Sequence, residues 1–336
     1  MVLRFVKDLF ITRSADLCKF KCKEYSLPMR FYKAKIILLT SVLGAGFLAN
    51  PANAVYGGVS GLKNEVVVAL TKDRLDTEAM CTAGLIAPRV VVTAAHCING
   101  PAESYWVTAP GADLEDINLT KIQGKEIFMS KKFSLGQFPY QDDFAVILLK
   151  SPFPKIKPLK IATSEEVAKW ISEEASVTHI GYGRYEKLDS SKSGLALVTS
   201  SIPYTYETNF SNKVPFQFDM LTSGTYSLTK LTIDKTICGG DSGGPLIKKV
   251  GSEWVYIGAQ SGGNGAGCIA PCEEICVANQ FLAASYTEIL SNVKNYLTED
   301  TKQVSTKSKS LKCIKGKNIK VISGTNPRCP TGYKKA

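Results

Sequence analysis

The chain has 336 residues, 44% of them hydrophobic, so it can bury a large core in one or two domains. Its formal net charge of +11 belongs to the two ends, because residues 1–54 contribute +6, residues 298–336 contribute +8 and the body between them contributes −3. An acidic body excludes nucleic-acid binding by that body on electrostatic grounds. Ten Cys are many for a cytosolic protein and favour an oxidising compartment.

Residues 1–54 have the features of a leader. A positive flank precedes an apolar run at 36–48, and a small-x-small pattern ends at Ala54. Together these parts predict a secretory signal peptide that is removed outside the cell. A membrane anchor is the alternative, but the run is shorter than the ~20 residues that a span requires. Because residues 1–28 are charged and make the leader unusually long, we expect translation to begin at Met29.

The body reads as a series of short strands. Runs rich in β-branched residues and bounded by turn residues lie at 65–70, 89–92 and 177–183. His179 lies in the last of these and is expected to be an ordinary strand histidine without a catalytic role. Residues 164–175 and 286–297 have the spacing of helices. Three Pro near the start of 151–163 cannot lie inside a sheet, so this segment is expected to cross between the two halves of the body.

The most informative stretch is C-G-G-D-S-G-G-P-L at residues 238–246. Small and turn-forming residues surround Ser242, so the backbone can take positive φ and pass close to a ligand. A sharp turn exposes the hydroxyl, and the N–H groups of Gly240 and Ser242 could converge on one point and stabilise an oxyanion. A glycine-rich surface turn is the alternative interpretation.

A serine hydroxyl is a weak nucleophile, so it needs a base within hydrogen-bond reach and a third group that orients the base. One of the two His residues, His96, lies in V-T-A-A-H-C. With this block and the one around Ser242, the sequence resembles the chymotrypsin/trypsin family of serine proteases. That family carries T-A-A-H-C around its catalytic His and G-D-S-G-G-P around its nucleophile. The chain order His96, Asp143, Ser242 also matches this family, and neither subtilisin nor the α/β-hydrolases.

The resemblance covers about residues 55–297 and implies an all-β, chymotrypsin-like fold of two antiparallel six-stranded β-barrels with a C-terminal helix. It also implies a catalytic triad in which Ser242 attacks the scissile carbonyl, His96 takes the proton and Asp143 orients the ring. Asp143 opens D-F-A-V-I-L-L, which resembles the family's D-I-A-L-L strand. Asp142 is the neighbouring candidate, but strand side chains alternate, and the apolar phase of the strand favours Asp143.

Further roles follow from the resemblance. The N–H groups of Gly240 and Ser242 would form the oxyanion hole. The family's mature chain begins I-V-G-G, and its freed α-amine pairs with the Asp before the nucleophile. The stretch V-Y-G-G from Val55 and the position of Asp241 match that pair. We therefore expect cleavage by signal peptidase to create the activating terminus at Val55, with a short propeptide cut slightly later as the alternative.

The resemblance also marks substrate-binding positions. Residues 255–263 resemble the strand that hydrogen-bonds the substrate backbone, with Ser261 and Gly263 at the binding positions. Thr236 falls at the base of the pocket, where trypsin-like enzymes carry Asp, so a strong preference for Arg or Lys is not expected. Gly263 would leave the pocket mouth open, and Ala284 would narrow the pocket slightly. These residues predict a neutral pocket for a medium apolar side chain.

Eight Cys follow the leader. The resemblance implies the pairs Cys81–Cys97 and Cys238–Cys268, which leaves Cys272 and Cys276 as a local pair. Three pairings of the last four Cys are possible, and the sequence does not choose between them. A metal site at Cys272 and Cys276 is the alternative, but no His is near and the thiols of an exported protein oxidise. We therefore expect no metal and no cofactor.

The C-terminal segment lies outside the resemblance. Residues 298–311 are rich in Lys, Ser and Thr and predict a flexible linker. Residues 312–336 predict a small basic hairpin closed by Cys313 and Cys329, since so small a unit needs a staple. It is weakly similar to an element that ends various secreted actinobacterial proteins. Retention on an anionic cell-wall polymer or lipid surface is expected, with a merely solubilising tail as the alternative.

The sequence therefore predicts a monomeric serine endopeptidase, secreted or held at the cell surface of a bacterium, that cleaves polypeptide substrates. A non-catalytic homologue that binds a partner or a wall polymer is the rival from another class. Such proteins usually lack a member of the triad, whereas all three residues are present here. An esterase with the same triad shares the chemistry and stays open.

Overall fold

Strands dominate the structure, a computed structural model that describes residues 57–134, 136, 140–184, 199–214, 224–232, 235–263, 276–298, 309–316, 318–324 and 328–336. All of these residues belong to one compact unit, Asn50–Ala336. The expected leader lies outside the described residues, as do Val55, Cys268 and Cys272. The described helices are all too short or too polar to serve as membrane spans.

The described strands, in chain order, are β1 (Val59–Ser60), β2 (Val67–Thr71), β3 (Cys81–Ala87), β4 (Val90–Thr93), β5 (Trp106–Thr108), β6 (Lys121–Met129), β7 (Ala145–Leu149), β8 (Lys160–Ile161), β9 (Ser176–Gly181), β10 (Tyr204–Asn209), β11 (Tyr226–Lys230), β12 (Pro245–Val250), β13 (Glu253–Gly263), β14 (Val277–Leu282), β15 (Lys309–Lys315), β16 (Asn318–Gly324) and β17 (Lys334–Lys335). The α-helices are α1 (Ser164–Ser172), α2 (Thr287–Ser291) and α3 (Lys294–Leu297). Short 3-10 helices lie at Ala95–Cys97, Ala102–Ser104 and Ala283–Tyr286.

The first half of the body is a closed antiparallel barrel in the strand order β2-β3-β4-β7-β6-β5. Every residue of β2 is buried, because its two faces pack against different neighbours. Val68 and Leu70 join one apolar cluster with Tyr105, whereas Val67 and Ala69 join another that contains side chains of the second sheet. Alternate side chains point to opposite faces of a strand, so β-branched residues on both faces fit a strand covered on both sides.

The second half is a sheet in the order β1-β10-β9-β12-β13-β14-β11, with β8 pairing in parallel with β13. Its two ends meet where Phe210, just after β10, forms an isolated bridge to Thr229 of β11. The N–H of Ser211 donates to the carbonyl of Leu228 at 2.8 Å beside that bridge. The expected two-barrel architecture is confirmed, although the second barrel closes less completely than the first and carries two additional strands.

The helices differ from expectation at their ends. Helix α1 begins with a capping box between Thr163 and Glu166, and it ends at Ser172 because Glu174 has a φ of 46°. The continuous helix predicted for 286–297 is instead the pair α2 and α3. The side-chain amide of Asn292 donates to the carbonyls of Glu288 and Ile289, both at 3.3 Å, so it competes with the backbone where the helix breaks.

The C-terminal residues form a separate three-stranded sheet in the order β16-β15-β17. The disulfide between Cys313 and Cys329 is present, so the predicted staple is confirmed. Strand β15 begins at Lys309, so the last residues of the predicted linker 298–311 belong to this sheet. The rest of that linker, beyond residue 298, lies outside the described residues.

Thr82 on β3 joins the first barrel to the second. Its hydroxyl donates to the carbonyl of Gly240 at 2.8 Å and accepts from the N–H of Tyr182 at 2.9 Å. Its own N–H donates to the carbonyl of Ser242 at 2.9 Å, and its carbonyl accepts from the hydroxyl of Thr93. Thr82 is fully buried, so each of these groups lacks water as a substitute partner.

Replacing Thr82 by Val is expected to lower the free energy of unfolding by about 2–4 kcal/mol, because Gly240 and Tyr182 lose a partner for a buried backbone group. Thr82→Ser keeps both hydrogen bonds and loses one methyl group, so a loss of about 1 kcal/mol is expected. Urea unfolding of the two variants provides the measurement. Equal stability of the Val and Ser variants would show that these hydrogen bonds do not hold the barrels together.

Candidate active site

Three segments bring the predicted triad residues towards one cleft. His96 lies in the 3-10 helix Ala95–Cys97 that follows β4, and Asp143 lies just before β7. These two strands are neighbours, with Thr93 paired to Ala145, so the residues beyond their ends lie side by side. Ser242 comes from the other half of the body, in the turn that precedes β12.

Asp143 holds His96 through both its backbone and its ring. One carboxylate oxygen accepts from the His96 N–H at 2.8 Å, and the other lies 2.7 Å from Nδ1. The hydroxyl of Ser261 donates to that second oxygen at 2.5 Å. Asp143 is fully buried, whereas 18% of the His96 side chain is exposed. The arrangement fixes the tautomer with the proton on Nδ1, which leaves Nε2 as an acceptor facing the open side.

The carboxylate of Asp142 has partners other than His96. It accepts from the hydroxyls of Ser130 at 3.2 Å and Tyr286 at 3.1 Å. Its φ is 50°, and β7 begins only at Ala145, so the argument from strand alternation does not apply to either Asp side chain. The family motif also favoured Asp143, and the contacts of the two carboxylates support that choice.

Ser242 and His96 line the same cleft, whose volume is about 300 Å³. The other described residues of its lining are Tyr140, Ile237, Cys238, Gly239, Gln260, Ser261, Gly262 and Gly263. Tyr140 lies over the His96 ring with 5.4 Å between the ring centroids. Among the described residues, no hydrogen bond joins the Ser242 hydroxyl to the His96 ring. Such contacts are often long without substrate and shorten when the substrate binds.

The backbone around Ser242 leaves two donors available. Within the described part of the chain, the N–H groups of Gly240 and Ser242 have no hydrogen-bond acceptor, whereas Asp241, Gly243 and Gly244 each donate to a backbone carbonyl. The carbonyls of Gly240 and Ser242 are held by Thr82. An oxyanion hole requires N–H groups that are held in position and are free to donate to the substrate.

Glycine is required at two positions of this loop. Gly240 has a φ of 99° and Gly243 a φ of 80°, a region that L side chains rarely adopt. A Cβ on Gly243 would also lie 2.0 Å from the hydroxyl oxygen of Thr93 and 2.7 Å from the nitrogen of Ala94. The nucleophile loop therefore packs backbone to backbone against the first barrel, next to His96.

Asp241 is a buried carboxylate held by backbone groups. It accepts from the N–H of Gly183 and from that of Cys238, both at 2.8 Å. No cation forms an ion pair with it among the described residues. Burial raises the pKa of Asp241 to about 7, although the two N–H groups act in the opposite direction. Its predicted partner, Val55, lies outside the described residues.

The family model for trypsin matches residues 55–280. The chain belongs to the trypsin family. Two relatives are an ovochymase from Halocynthia roretzi, 24% identical over 234 residues, and transmembrane protease serine 11G from Rattus norvegicus, 27% identical over 186 residues. The aligned regions cover 66% and 55% of this chain but 14% and 43% of the two relatives, so the chain spans less than half of either.

The structure locates the predicted specificity residues of this trypsin-family chain. Ser261 and Gly263 line the cleft, together with Ile237, which follows Thr236. Thr236 is buried, and its hydroxyl donates to the Ile237 carbonyl at 3.3 Å. Ala284 follows β14 in the 3-10 helix Ala283–Tyr286 and is not among the described residues that line the cleft, so its predicted role stays a prediction.

Strand pairing brings a further residue to this part of the site. Gly263 of β13 pairs with Ala278 of β14, so Ala278 lies beside the predicted substrate-binding end of β13. Tyr286, at the end of the 3-10 helix that contains Ala284, is stacked on Phe144 with 4.5 Å between the ring centroids.

The disulfides support the trypsin-like frame. Cys81 and Cys97 are bonded, as predicted, which ties β3 to the segment that carries His96. Cys238 and Cys276 are each disulfide-bonded, but Cys268 and Cys272 lie outside the described residues, so the choice of pairing is untested. The donor atoms of Cys81, His96 and Cys97 lie within 4.8 Å of one another, yet both sulfurs belong to the disulfide and offer no thiolate to a metal.

His179 lies in a polar cluster inside the second barrel, apart from Asp143. Its Nε2 lies 2.8 Å from the hydroxyl of Thr229, and the amide of Gln280 also contacts it. Its ring stacks on Tyr206 with 5.0 Å between the centroids. Burial lowers the pKa of His179 to about 3, so the ring is neutral at physiological pH.

Thr82 and Tyr140 were missed by sequence reasoning. Thr82 directly follows Cys81 and belongs to neither of the two blocks that contain His96 and Ser242. Its side-chain partners lie about a hundred residues or more along the chain, at Tyr182 and Gly240, so nothing local indicated them. Tyr140 belongs to no motif.

The lowered pKa of His179 predicts a loss of stability in acid. The unfolded chain binds a proton near pH 6.5 and the folded chain only near pH 3, so stability is lost as the pH falls through that range. His179→Gln stays neutral throughout and keeps a hydrogen-bonding side chain. Between pH 6.5 and pH 4, the wild-type chain is expected to lose about 1–3 kcal/mol more free energy of unfolding than the variant.

Urea unfolding at the two pH values gives this difference, and comparing the two chains cancels the contribution of the carboxylates that they share. Parallel losses in both chains would contradict a neutral, buried His179.

Proposed function

We propose that the protein is a secreted serine endopeptidase that cleaves peptide bonds through an acyl-enzyme intermediate. One observation carries the proposal: His96, held by the buried Asp143, shares a cleft with Ser242, whose loop offers two N–H groups that have no acceptor among the described residues. A base, a group that orients it, a nucleophile and oxyanion donors are the components that acyl transfer needs. Membership of the trypsin family supports the same reaction class.

The first half-reaction forms the acyl-enzyme. Nε2 of His96 takes the proton of the Ser242 hydroxyl as its oxygen attacks the scissile carbonyl carbon. The carbonyl oxygen becomes an oxyanion and accepts hydrogen bonds from the N–H groups of Gly240 and Ser242, each worth about 10²–10³ in rate. Asp143 stabilises the imidazolium that forms. The C–N bond then breaks, and His96 gives its proton to the leaving amine.

The second half-reaction releases the acyl group. Water attacks the ester carbonyl while His96 accepts one of its protons, and the Ser242 oxygen leaves with that proton. The side chain of Ser261 supports both steps, because its hydroxyl fills the remaining side of the carboxylate that orients the ring. Ser242 and His96 are regenerated, so the cycle consumes only the peptide and water.

The cleft favours substrates with uncharged side chains. Its described lining contains no Asp, Glu, Lys or Arg, and Ile237 and the disulfide-bonded Cys238 provide apolar surface. The end of β13 at Gly262 and Gly263 offers an extended backbone on which a peptide can add as a further strand. A polypeptide with a medium apolar residue before the scissile bond is the proposed substrate.

Export and activation are proposed to occur together. Cleavage after Ala54 would remove the signal peptide and leave Val55 with a free ammonium group. Asp241 is a buried carboxylate with a raised pKa and no cationic partner among the described residues, so it is suited to receive that ammonium. The ion pair would fix the loop between Cys238 and Ser242.

Labelling with a fluorophosphonate probe tests the nucleophile. The purified chain beginning at Val55 is expected to react covalently at Ser242, and Ser242→Ala to lose labelling by at least about a thousandfold. Ser291→Ala, an exposed serine on α2, provides the matched control and is expected to label normally. A mass shift on the peptide that contains Ser242 identifies the site.

The same chain is then given a peptide library and a set of simple esters. Labelling together with peptide cleavage supports the endopeptidase. Labelling with ester hydrolysis alone would identify an esterase, and a folded chain without labelling would identify a non-catalytic homologue.

The proposed ion pair predicts a pH effect on stability. In a chain that retains Asn53 and Ala54, Asp241 would have no ammonium partner. The pKa of Asp241 is then about 7 in the folded chain and about 4 in the unfolded chain. The free energy of unfolding therefore falls as the pH rises from about 4 to about 7. A chain beginning at Val55 should avoid this loss. Between pH 5 and pH 7.5, the longer chain is expected to lose about 2–3 kcal/mol more free energy of unfolding.

Both chains carry Ser242→Ala in this experiment so that neither digests itself. Asp241→Asn in the longer chain is the control, and it should abolish the pH effect. An identical pH dependence of the two chains would rule out the ion pair.

A further inference from the structure

The C-terminal sheet has two unlike faces. The strand register pairs Ile314 with both Ile319 and Lys334, and Lys312 with Val321. Directly paired residues lie on the same face of a sheet. We call this face the aliphatic face, and its residues are Lys312, Ile314, Ile319, Val321 and Lys334.

The aliphatic face is open to solvent. Ile314 is 36% exposed, Ile319 55% and Val321 62%. On the opposite face Cys313 is fully buried and bonded to Cys329, and Leu311 and Ile322 are partly buried. The sheet therefore places its better-covered apolar side chains on one face and leaves three branched aliphatic side chains uncovered on the other.

The charge around this face has one sign. Residues 309–336 contain eight Lys and Arg and no Asp or Glu. Lys312 and Lys334 are exposed and border the three aliphatic side chains. On the other face Lys320 lies 5.3 Å above the Tyr333 ring, so the basic residues surround the sheet on both faces.

Three kinds of partner could cover the aliphatic face, and its mixture of apolar side chains and lysines distinguishes between them. A soluble polyanion would neutralise the lysines but leave Ile314, Ile319 and Val321 in water. A second copy of the sheet would cover the aliphatic side chains but bring like charges together. An anionic lipid bilayer satisfies both requirements, because apolar side chains enter the boundary between headgroups and acyl chains while lysines reach the phosphates.

We propose that the aliphatic face docks on anionic membrane surfaces, with Ile314, Ile319 and Val321 inserted and Lys312 and Lys334 at the headgroups. The Cys313–Cys329 disulfide and the pairing of three strands hold these side chains in place, so little conformational entropy is lost on docking. The inference does not depend on the proposed peptidase activity.

Vesicle sedimentation tests the proposal. The full chain from Val55, carrying Ser242→Ala, is mixed with vesicles of equal parts phosphatidylglycerol and phosphatidylcholine, or of phosphatidylcholine alone. Binding to the mixed vesicles is expected to be tighter by at least about tenfold. The double variant Ile319→Ser, Val321→Ser is expected to weaken that binding by about tenfold or more, because less apolar surface enters the bilayer.

A pair of matched charge variants shows which face of the sheet binds the vesicles. Lys312→Gln with Lys334→Gln removes two charges from the aliphatic face and is expected to weaken binding by about tenfold or more. Lys315→Gln with Lys335→Gln removes two charges from the opposite face and is expected to weaken it by about threefold. Circular dichroism and thiol titration check that each variant keeps its fold and its disulfides. Where a double variant does not, a single substitution replaces it: Val321→Ser for the serine variant, and Lys312→Gln or Lys315→Gln for the charge variants.

Three outcomes would overturn the proposal. The two charge variants could lose equal affinity, which would mean that neither face is preferred. The Ile319→Ser, Val321→Ser variant could bind vesicles as tightly as the parent chain, and dextran sulfate could release both proteins from the vesicles. That result would identify a site for polyanions. The parent chain could sediment as a dimer without vesicles and the serine variant as a monomer, which would assign the face to a second copy.

Discussion

The contact between Thr82 and the nucleophile loop is the constraint on which the rest of the site depends. His96 and Asp143 belong to the first barrel and Ser242 to the second, so their relative position is fixed only as well as the barrels are. Thr82 meets the loop with a backbone N–H and a hydroxyl, and both bonds hold carbonyls, at Ser242 and Gly240. These two bonds hold the loop in place, and the N–H groups of Gly240 and Ser242 have no acceptor among the described residues.

Two buried carboxylates play opposite parts in this arrangement. Asp143 accepts three hydrogen bonds, two from His96 and one from Ser261, so this buried carboxylate holds the His96 ring in one orientation. Among the described residues, Asp241 accepts hydrogen bonds only from backbone N–H groups, and burial raises its pKa. The first site is complete within the described chain, whereas the second calls for a positive charge, which the proposed terminus at Val55 would bring.

Features that depend on short contiguous motifs could be predicted from the sequence. The blocks around His96 and Ser242 pointed to the family, and the two-barrel fold and the Cys81–Cys97 disulfide followed. The Cys313–Cys329 disulfide was predicted separately, from the small size of the C-terminal unit. The contacts of side chains whose partners depend on strand register could not be predicted from the sequence. Ala278 pairs with Gly263 across β13 and β14, and no motif in the sequence marks that residue. The left-handed backbone of Asp142 was not predicted either, although Asp is one of the residue types that adopt it most readily.

The division of the site between barrels has a consequence for fragments of this protein. A piece that stops in the crossing at 151–163 would keep the base and its carboxylate, and a piece that starts there would keep the alcohol, yet neither could hydrolyse anything. Separation of the two halves would move His96 away from Ser242 and would abolish the proposed hydrolysis. A ligand that binds between the halves and separates them would therefore inhibit the proposed activity without entering the cleft.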